Sequence, residues 1–236
     1  MAEPKYPQRR FVAPPGSTNV FLVRHGASMP YGDEPFPLLD GTGDPPLAPE
    51  GVEQAERAAL RLVEEDIEAI YVTTLQRTHQ TAAPLVARLG LDPIVEPDLR
   101  EVNLGEWEGG AMRRHVAEGH PLAIRLFAEE RWDVIPGAEP HEIFATRVRR
   151  GLDRVVAESP GRRIAVFTHG GVIGEVVRQL AEGGRGFAFA TADNGSITHL
   201  VQIGDRWLIR RFNDTSHHPG GLDRPDPADD GWIPAP

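Results

Sequence analysis

Cysteine is absent from this chain of 236 residues. Neither disulfides nor thiolate metal sites are therefore available, and a reducing compartment is permitted. Cationic charge is the scarcer kind: 25 Lys and Arg stand against 35 Asp and Glu, a formal net charge of −10. That balance argues against nucleic acid or an anionic membrane as the main partner of the surface, while leaving room for a local cationic pocket. Long apolar runs are missing too. No stretch approaches the length that spans a bilayer, and Met1 to Arg10 lack the apolar centre of a signal peptide. The expectation is a cytoplasmic protein, and its oligomeric state is unreadable because no heptad pattern or unusual apolar stripe marks an interface. At 40% hydrophobic and 25% charged, the length suits one sizeable α/β domain.

What the chain does hold is a set of apolar runs that stop abruptly in chemistry. Val20 to Val23 reads as a strand buried on both faces, and it ends in Arg24, His25 and Gly26. In open α/β sheets the ligand crevice lies beyond the carboxyl ends of the strands, so this arginine and histidine are offered to a pocket. A guanidinium fork suits a phosphate, a neutral imidazole can attack one, and a glycine lets the backbone turn closely around it. Arg162 to Thr168 reads as another such strand. It passes through His169, Gly170 and Gly171 into a helix carrying Val172, Ile173, Val176, Val177 and Leu180, whose N-terminal N–H groups form an anion site. Ala69 to Thr73 is a further strand, with Arg77 just beyond it at the start of a helix striped by Ala82, Leu85, Val86 and Leu89 and closed by Gly90. All three endings fall in one layer.

The segments between them supply cover and rim. Residues 1–18 form an irregular, proline-rich arm. Met29 to Pro46 is too rich in Pro, Gly and Asp for regular structure and reads as a long loop over the pocket; its Asp33, Glu34, Asp40 and Asp44 either repel polyanions or face solvent. From Pro49 onward, Val52, Ala55, Ala59, Leu62 and Val63 recur at helical spacing. A short strand at Pro93 to Glu96 leads to Glu101, Glu106 and Glu108 around Trp107, which reads either as a solvated turn or as the source of a carboxyl facing the pocket. Residues 111–135 read as one or two cap helices with Phe127 and Trp132 in the cap's own core. The helix after Pro136-Gly137-Ala138 packs through Phe144, Val148, Leu152 and Val155, and its Arg147, Arg149, Arg150 and Arg154 read as a solvated face. Two alternating runs around Gly204-Asp205 form an edge hairpin. Residues 213–236, rich in Pro and Asp, read as an extended tail in which His217-His218 is too isolated for a metal site.

Four motifs follow one another in order: Leu22-Val23-Arg24-His25-Gly26, Leu75-Gln76-Arg77-Thr78-x-Gln80-Thr81-Ala82, Leu99-x-Glu101 with Gly105-x-Trp107-Glu108-Gly109, and Thr168-His169-Gly170-Gly171. Leu47-x-Pro49-x-Gly51, Pro136-Gly137-x-Glu139 and Asn194-x-Ser196-Ile197 accompany them. With these the chain resembles the histidine phosphatase superfamily, the phosphoglycerate-mutase-like fold, over roughly residues 19–212. The resemblance implies a three-layer α/β/α sandwich with a mostly parallel central sheet, an antiparallel edge hairpin and a helical and loop cap inserted at about 106–137. It implies that His25 is the nucleophile that becomes phosphorylated and that Glu101 is the general acid, then the base. Arg24, Arg77 and His169 would hold the phosphoryl oxygens, with Ser28 and Gly170 as further donors, and no metal or cofactor is implied. Where many members carry an asparagine that touches the phosphate, this chain has Tyr31, so that contact is in question. From Glu101 to His169 there are 68 positions, which fits the shorter, phosphatase-like members. Hydrolysis of a small-molecule phosphate ester is the expected activity, with mutase-type transfer and a non-catalytic phosphate-binding module as alternatives.

Overall fold

The computed structural model describes residues 6–32, 34–189 and 192–220. Asp33 of the expected rim, the start of the arm and the tail from 221 onward lie outside the described residues. Along the chain the elements are β1 (Thr18–Arg24), the short pair β2 (Leu38–Leu39) and β3 (Thr42–Gly43), α1 (Pro49–Val63), β4 (Ala69–Val72), α2 (Gln76–Leu89), β5 (Ile94–Val95), α3 (Ala111–Ala117), α4 (Pro121–Glu129), α5 (His141–Glu158), β6 (Arg163–Thr168), α6 (Gly170–Leu180), β7 (Ile197–Ile203) and β8 (Arg206–Asp214). Tight 3-10 turns at Pro97–Leu99, Gly105–Trp107 and Trp132–Val134 link them.

The period of two in β1 decides the layering. Phe21 and Val23 join Ile70, Val72, Ala165 and Phe167 against Ala58, Ala59 and Leu62 of α1 and Ala82 and Leu85 of α2. Val20 and Leu22 join Tyr71, Ile164 and Val166 against Phe144, Val148 and Leu152 of α5 and Val172 and Val176 of α6. Both faces are thus dry, which is why β1 reads as a continuous apolar run, and truncating one of these core side chains to Ala costs about 2–5 kcal/mol. The sheet order is β5-β4-β6-β1-β7-β8. β5, β4, β6 and β1 pair in parallel, and β7 and β8 add the antiparallel hairpin at one edge. The expected α/β sandwich with its edge hairpin is the observed fold.

α3, α4 and the turn at Trp132–Val134 form the cap, with Leu126, Trp132 and Ile135 buried in its core beside Trp107. Trp107 therefore does not sit in a solvated turn: it is 4% exposed and packs on His115 and His120. Three other readings are corrected. The loop from Met29 contains the small hairpin of β2 and β3. Residues after 212 are not featureless, because β8 continues to Asp214 and His217 Nε2 then donates to the Gly195 carbonyl. Finally, Arg147, Arg150 and Arg154 do not form a free solvated face; Arg150 and Arg154 grip Asp98 and Glu96, and Arg147 is tucked behind the site described next.

Candidate active site

Register brings the two histidines together. Arg24 of β1 pairs with Thr168 of β6, so the residues that follow, His25 and His169, leave adjacent strand ends into the same crevice. Their ring centroids are 5.2 Å apart at 62°. His25 Nδ1 lies 2.8 Å from the Gly26 carbonyl. A carbonyl can only accept, so Nδ1 carries the proton and the lone pair of a neutral ring sits on Nε2. Burial, reinforced by Arg77 and Arg24, holds the His25 pKa well below its ordinary value, which keeps the ring neutral. His169, fully buried, is held neutral in the same way; its Nε2 is 3.0 Å from Thr73 Oγ1, and its Nδ1 has no partner among the described residues.

The arginines are fixed from behind. Arg24 Nη1 donates to Ala192 O at 2.5 Å, and its Nε is buried with no partner among the described residues. The loop before β7 braces this strand end: Gly195 N donates to Arg24 O, and Asn194 Nδ2 donates to His25 O at 2.8 Å. Arg77, in the first turn of α2, donates through Nη1 to Gly43 O at 2.8 Å and stands 3.8 Å from Asp44, and burial lowers its pKa to about 10. Asp44 also accepts from Gln76 N, so this acid of the long loop caps α2. Gly26 N donates to Thr81 Oγ1, which ties the β1 end to α2.

Glu101 approaches from the opposite side. Its Oε1 accepts from Val102 N at 3.1 Å and its Oε2 from Gly171 N at 3.3 Å, at the start of α6. A side chain at Gly171 would place its Cβ 2.5 Å from Oε1, so any other residue there would make the carboxyl shift from this position. Burial raises the carboxyl's pKa above the usual range, outweighing the two N–H groups and the Arg77 and Arg24 charges that pull the other way. A neutral imidazole, a carboxyl inclined to hold its proton, and two guanidiniums therefore face one volume. A model of the histidine phosphatase superfamily, branch 1, matches residues 20–215.

The chain belongs to the histidine phosphatase superfamily. Phosphoglycerate mutase-like protein 4 of Arabidopsis thaliana is 31% identical over 202 residues, covering 84% of this chain and 86% of the relative. Metal-independent phosphoserine phosphatase of the same plant is 28% identical, covering 85% and 83%. Among solved structures, the mycobacterial glucosyl-3-phosphoglycerate phosphatase superposes with a TM-score of 0.68 at 27% identity, covering 83% of this chain and 98% of that one.

Within this histidine phosphatase fold the five principal residues singled out in the sequence come near one another: His25 meets His169 edge-on, and Arg24 and Arg77 act on His25, His169 and Glu101. Gly170 opens α6 with the Arg24 guanidinium against it, where an added Cβ would lie 3.3 Å from Arg24 Nε. Ser28, half-buried, accepts at Oγ from Arg113 Nη2 at 2.7 Å. Tyr31 packs edge-on against Phe36 with Arg114 over its ring, on the cap side. The rival carboxyls are engaged elsewhere or exposed. Glu108 accepts from Gly43 N and Leu104 N, and Glu106 faces solvent.

Sequence reasoning missed Arg113 and Arg147. Arg147 Nη1 donates to Asp98 O at 2.8 Å and Arg100 O at 2.5 Å, its Nη2 donates to Glu101 O at 2.9 Å, and the fork also grips Glu139 at 2.7 Å. It fixes the backbone from which Glu101 projects. The signal for it was present: Arg147 lies between Phe144 and Gly151 at spacings of three and four, on the border of the buried stripe of α5.

Proposed function

We propose that this chain is a metal-independent phosphomonoester hydrolase working through a phosphohistidine. In the first half-reaction His25 Nε2 attacks phosphorus, the P–O ester bond breaks, and the leaving oxygen takes the proton of Glu101. In the second, the Glu101 carboxylate takes a proton from water, the water oxygen bonds to phosphorus, and the P–N bond breaks to restore the imidazole. Phosphoryl transfer asks mainly for positioning and charge neutralisation. Arg24 and Arg77 supply two cationic forks, the Gly170 N–H and Ser28 hydroxyl add donors, and Thr73 donating to His169 Nε2 frees Nδ1–H for a phosphoryl oxygen.

The observation that carries this reading is the His25 ring, whose Nδ1–H is committed to Gly26 O and whose Nε2 is left as the nucleophilic nitrogen beside His169. Relatives named as phosphatases support hydrolysis over return of the group to the substrate. Because His25 must be neutral and Glu101 protonated, activity with poor leaving groups is highest at mildly acidic to neutral pH and falls as Glu101 ionises.

Rapid quenching with a radiolabelled aryl phosphate tests the scheme. The label is expected on His25, stable to alkali and labile to acid, and lost in His25→Ala. Glu101→Gln is expected to slow alkyl esters far more than nitrophenyl esters. Turnover without any phosphohistidine, or interconversion of 2- and 3-phosphoglycerate outpacing phosphate release, would overturn it.

A further inference from the structure

The two faces of the β7–β8 hairpin are covered differently. Leu200, Trp207 and Phe212 pack into the core on the α6 side. His199 and Arg211, which pair across the hairpin, line a cavity of about 350 Å³ enclosed with α1 and the amino-terminal arm at Phe11 to Ala13. None of Arg24, His25, Arg77, Glu101 and His169 lines it. The volume holds on the order of ten waters, more than a bare phosphate needs, and falls in the range of small-molecule pockets. Its floor is Phe21, which pairs with His199 across β1 and β7.

The charge of this cavity is opposite in sign to that of the chain. Four guanidiniums line it, Arg61, Arg163, Arg210 and Arg211, against the two carboxylates of Glu65 and Asp214. Glu65 is shared by Arg61 and Arg163, at 2.6 Å from each, and Asp214 takes Arg211 at 2.8 Å. Arg210 has no carboxylate partner among the described residues and lies 4.1 Å over the Phe11 ring. Two positive charges are thus in excess, in a protein whose net charge is −10. Burial lowers the His199 pKa, and Arg163, Arg211 and Arg210 push it the same way as positive charges, with Glu65 opposing them. Such a concentration of one sign inside a cleft draws anions. The walls are also aromatic. His199 stacks on Phe21 with centroids 4.4 Å apart and 13° between the planes, and Phe11, 41% exposed, offers another ring from the arm.

We propose that this cavity is a second ligand site, separate from the crevice, for a small organic dianion built on a flat aromatic ring, the chemistry of a nucleoside monophosphate. The ring extends the Phe21–His199 stack beside Phe11. Arg210, free of any carboxylate, binds the acidic group together with Arg211, and a planar fork does so in two-point geometry. A bare phosphate would leave most of the volume to water, and a neutral ring would leave both excess charges unmet. The site goes beyond the hydrolase reading and does not depend on it.

Titration of the full-length His25→Ala protein with adenosine monophosphate, followed by NMR at the histidine ring signals, tests it. The variant keeps the probe intact, and the His199 signal is identified by its loss in His199→Gln. That signal is expected to move saturably, with half-saturation below about 1 mM. Replacing both Arg210 and Arg211 by Gln is expected to weaken the binding at least about tenfold, and Arg210→Gln alone to give part of that loss. Arg206→Gln, exposed on the same strand but outside the cavity, is expected to leave it unchanged. A His199 signal that stays still, an equal movement with inorganic phosphate at the same concentration, or binding undiminished in both arginine variants overturns the site. Labelling of His25 by an aryl phosphate is a separate measurement, so the site and the hydrolase reading can each fail alone.

Discussion

Arg147 is an example of one side chain deciding whether another can act. Its fork binds three backbone carbonyls and the Glu139 carboxylate, and both charged side chains are only 13% exposed. Removing the cation strands a buried carboxylate, so Arg147→Met is expected to lower stability by about 3–5 kcal/mol in urea unfolding. Where the variant folds, turnover of poor leaving groups should fall more than that of good ones, because the Glu101 backbone is no longer fixed. Arg147→Lys, which returns the charge without the fork, should recover stability better than it recovers leaving-group dependence. A cost no larger than that of Arg149→Met, on the exposed flank of the same helix, would contradict the role. The histidines, Arg24, Arg77 and Glu101 were legible because each follows an apolar run or falls in an ordered motif. Arg147 was not: four arginines on one helix look alike until the partners that bury one of them arrive from residues 98–101 and 139.

At the scale of elements, the long apolar strands and amphipathic helices announced themselves through their periods, whereas short elements and long-range caps did not. β2 and β3 have two residues each, too few for any pattern. α2 has Leu75 at its cap position and takes its N-terminal acceptor from Asp44, more than thirty residues back. No window on the sequence links the two. The start of α6 carries a prediction of its own. Gly171 lies in a helix, where Ala is better by about 1 kcal/mol, yet its missing Cβ is what admits Glu101. Gly171→Ala is therefore expected to leave the melting temperature level or slightly raised while cutting kcat/KM at least about tenfold. A variant that melts higher and keeps full activity would show that Glu101 does not need that approach.

For the molecule as a whole, neutral histidines tie stability to pH. Burial lowers His199 to about 4, where it stacks on Phe21 and hydrogen-bonds Asn19, and His25 and His169 lie well below 6.5. Between roughly pH 4 and 6.5 the unfolded chain thus binds more protons than the folded one, so stability is present above 6.5 and is lost on acidification. Glu101, with its raised pKa, acts in the opposite sense. The melting temperature is expected to fall as pH drops from 7 toward 4.5, with a shallower slope in His199→Gln. A flat profile, or one identical in the variant, would count against it.

The strand order carries a consequence for biosynthesis. β1 is made before the other strands of its sheet, yet both of its partners, β6 and β7, follow more than a hundred residues later. A nascent chain therefore holds an unpaired strand with an apolar centre, Val20 to Val23, until β6 has been made. Chaperone engagement should concentrate on that window, and an amino-terminal fragment ending before Arg163 would lack the middle of its own sheet.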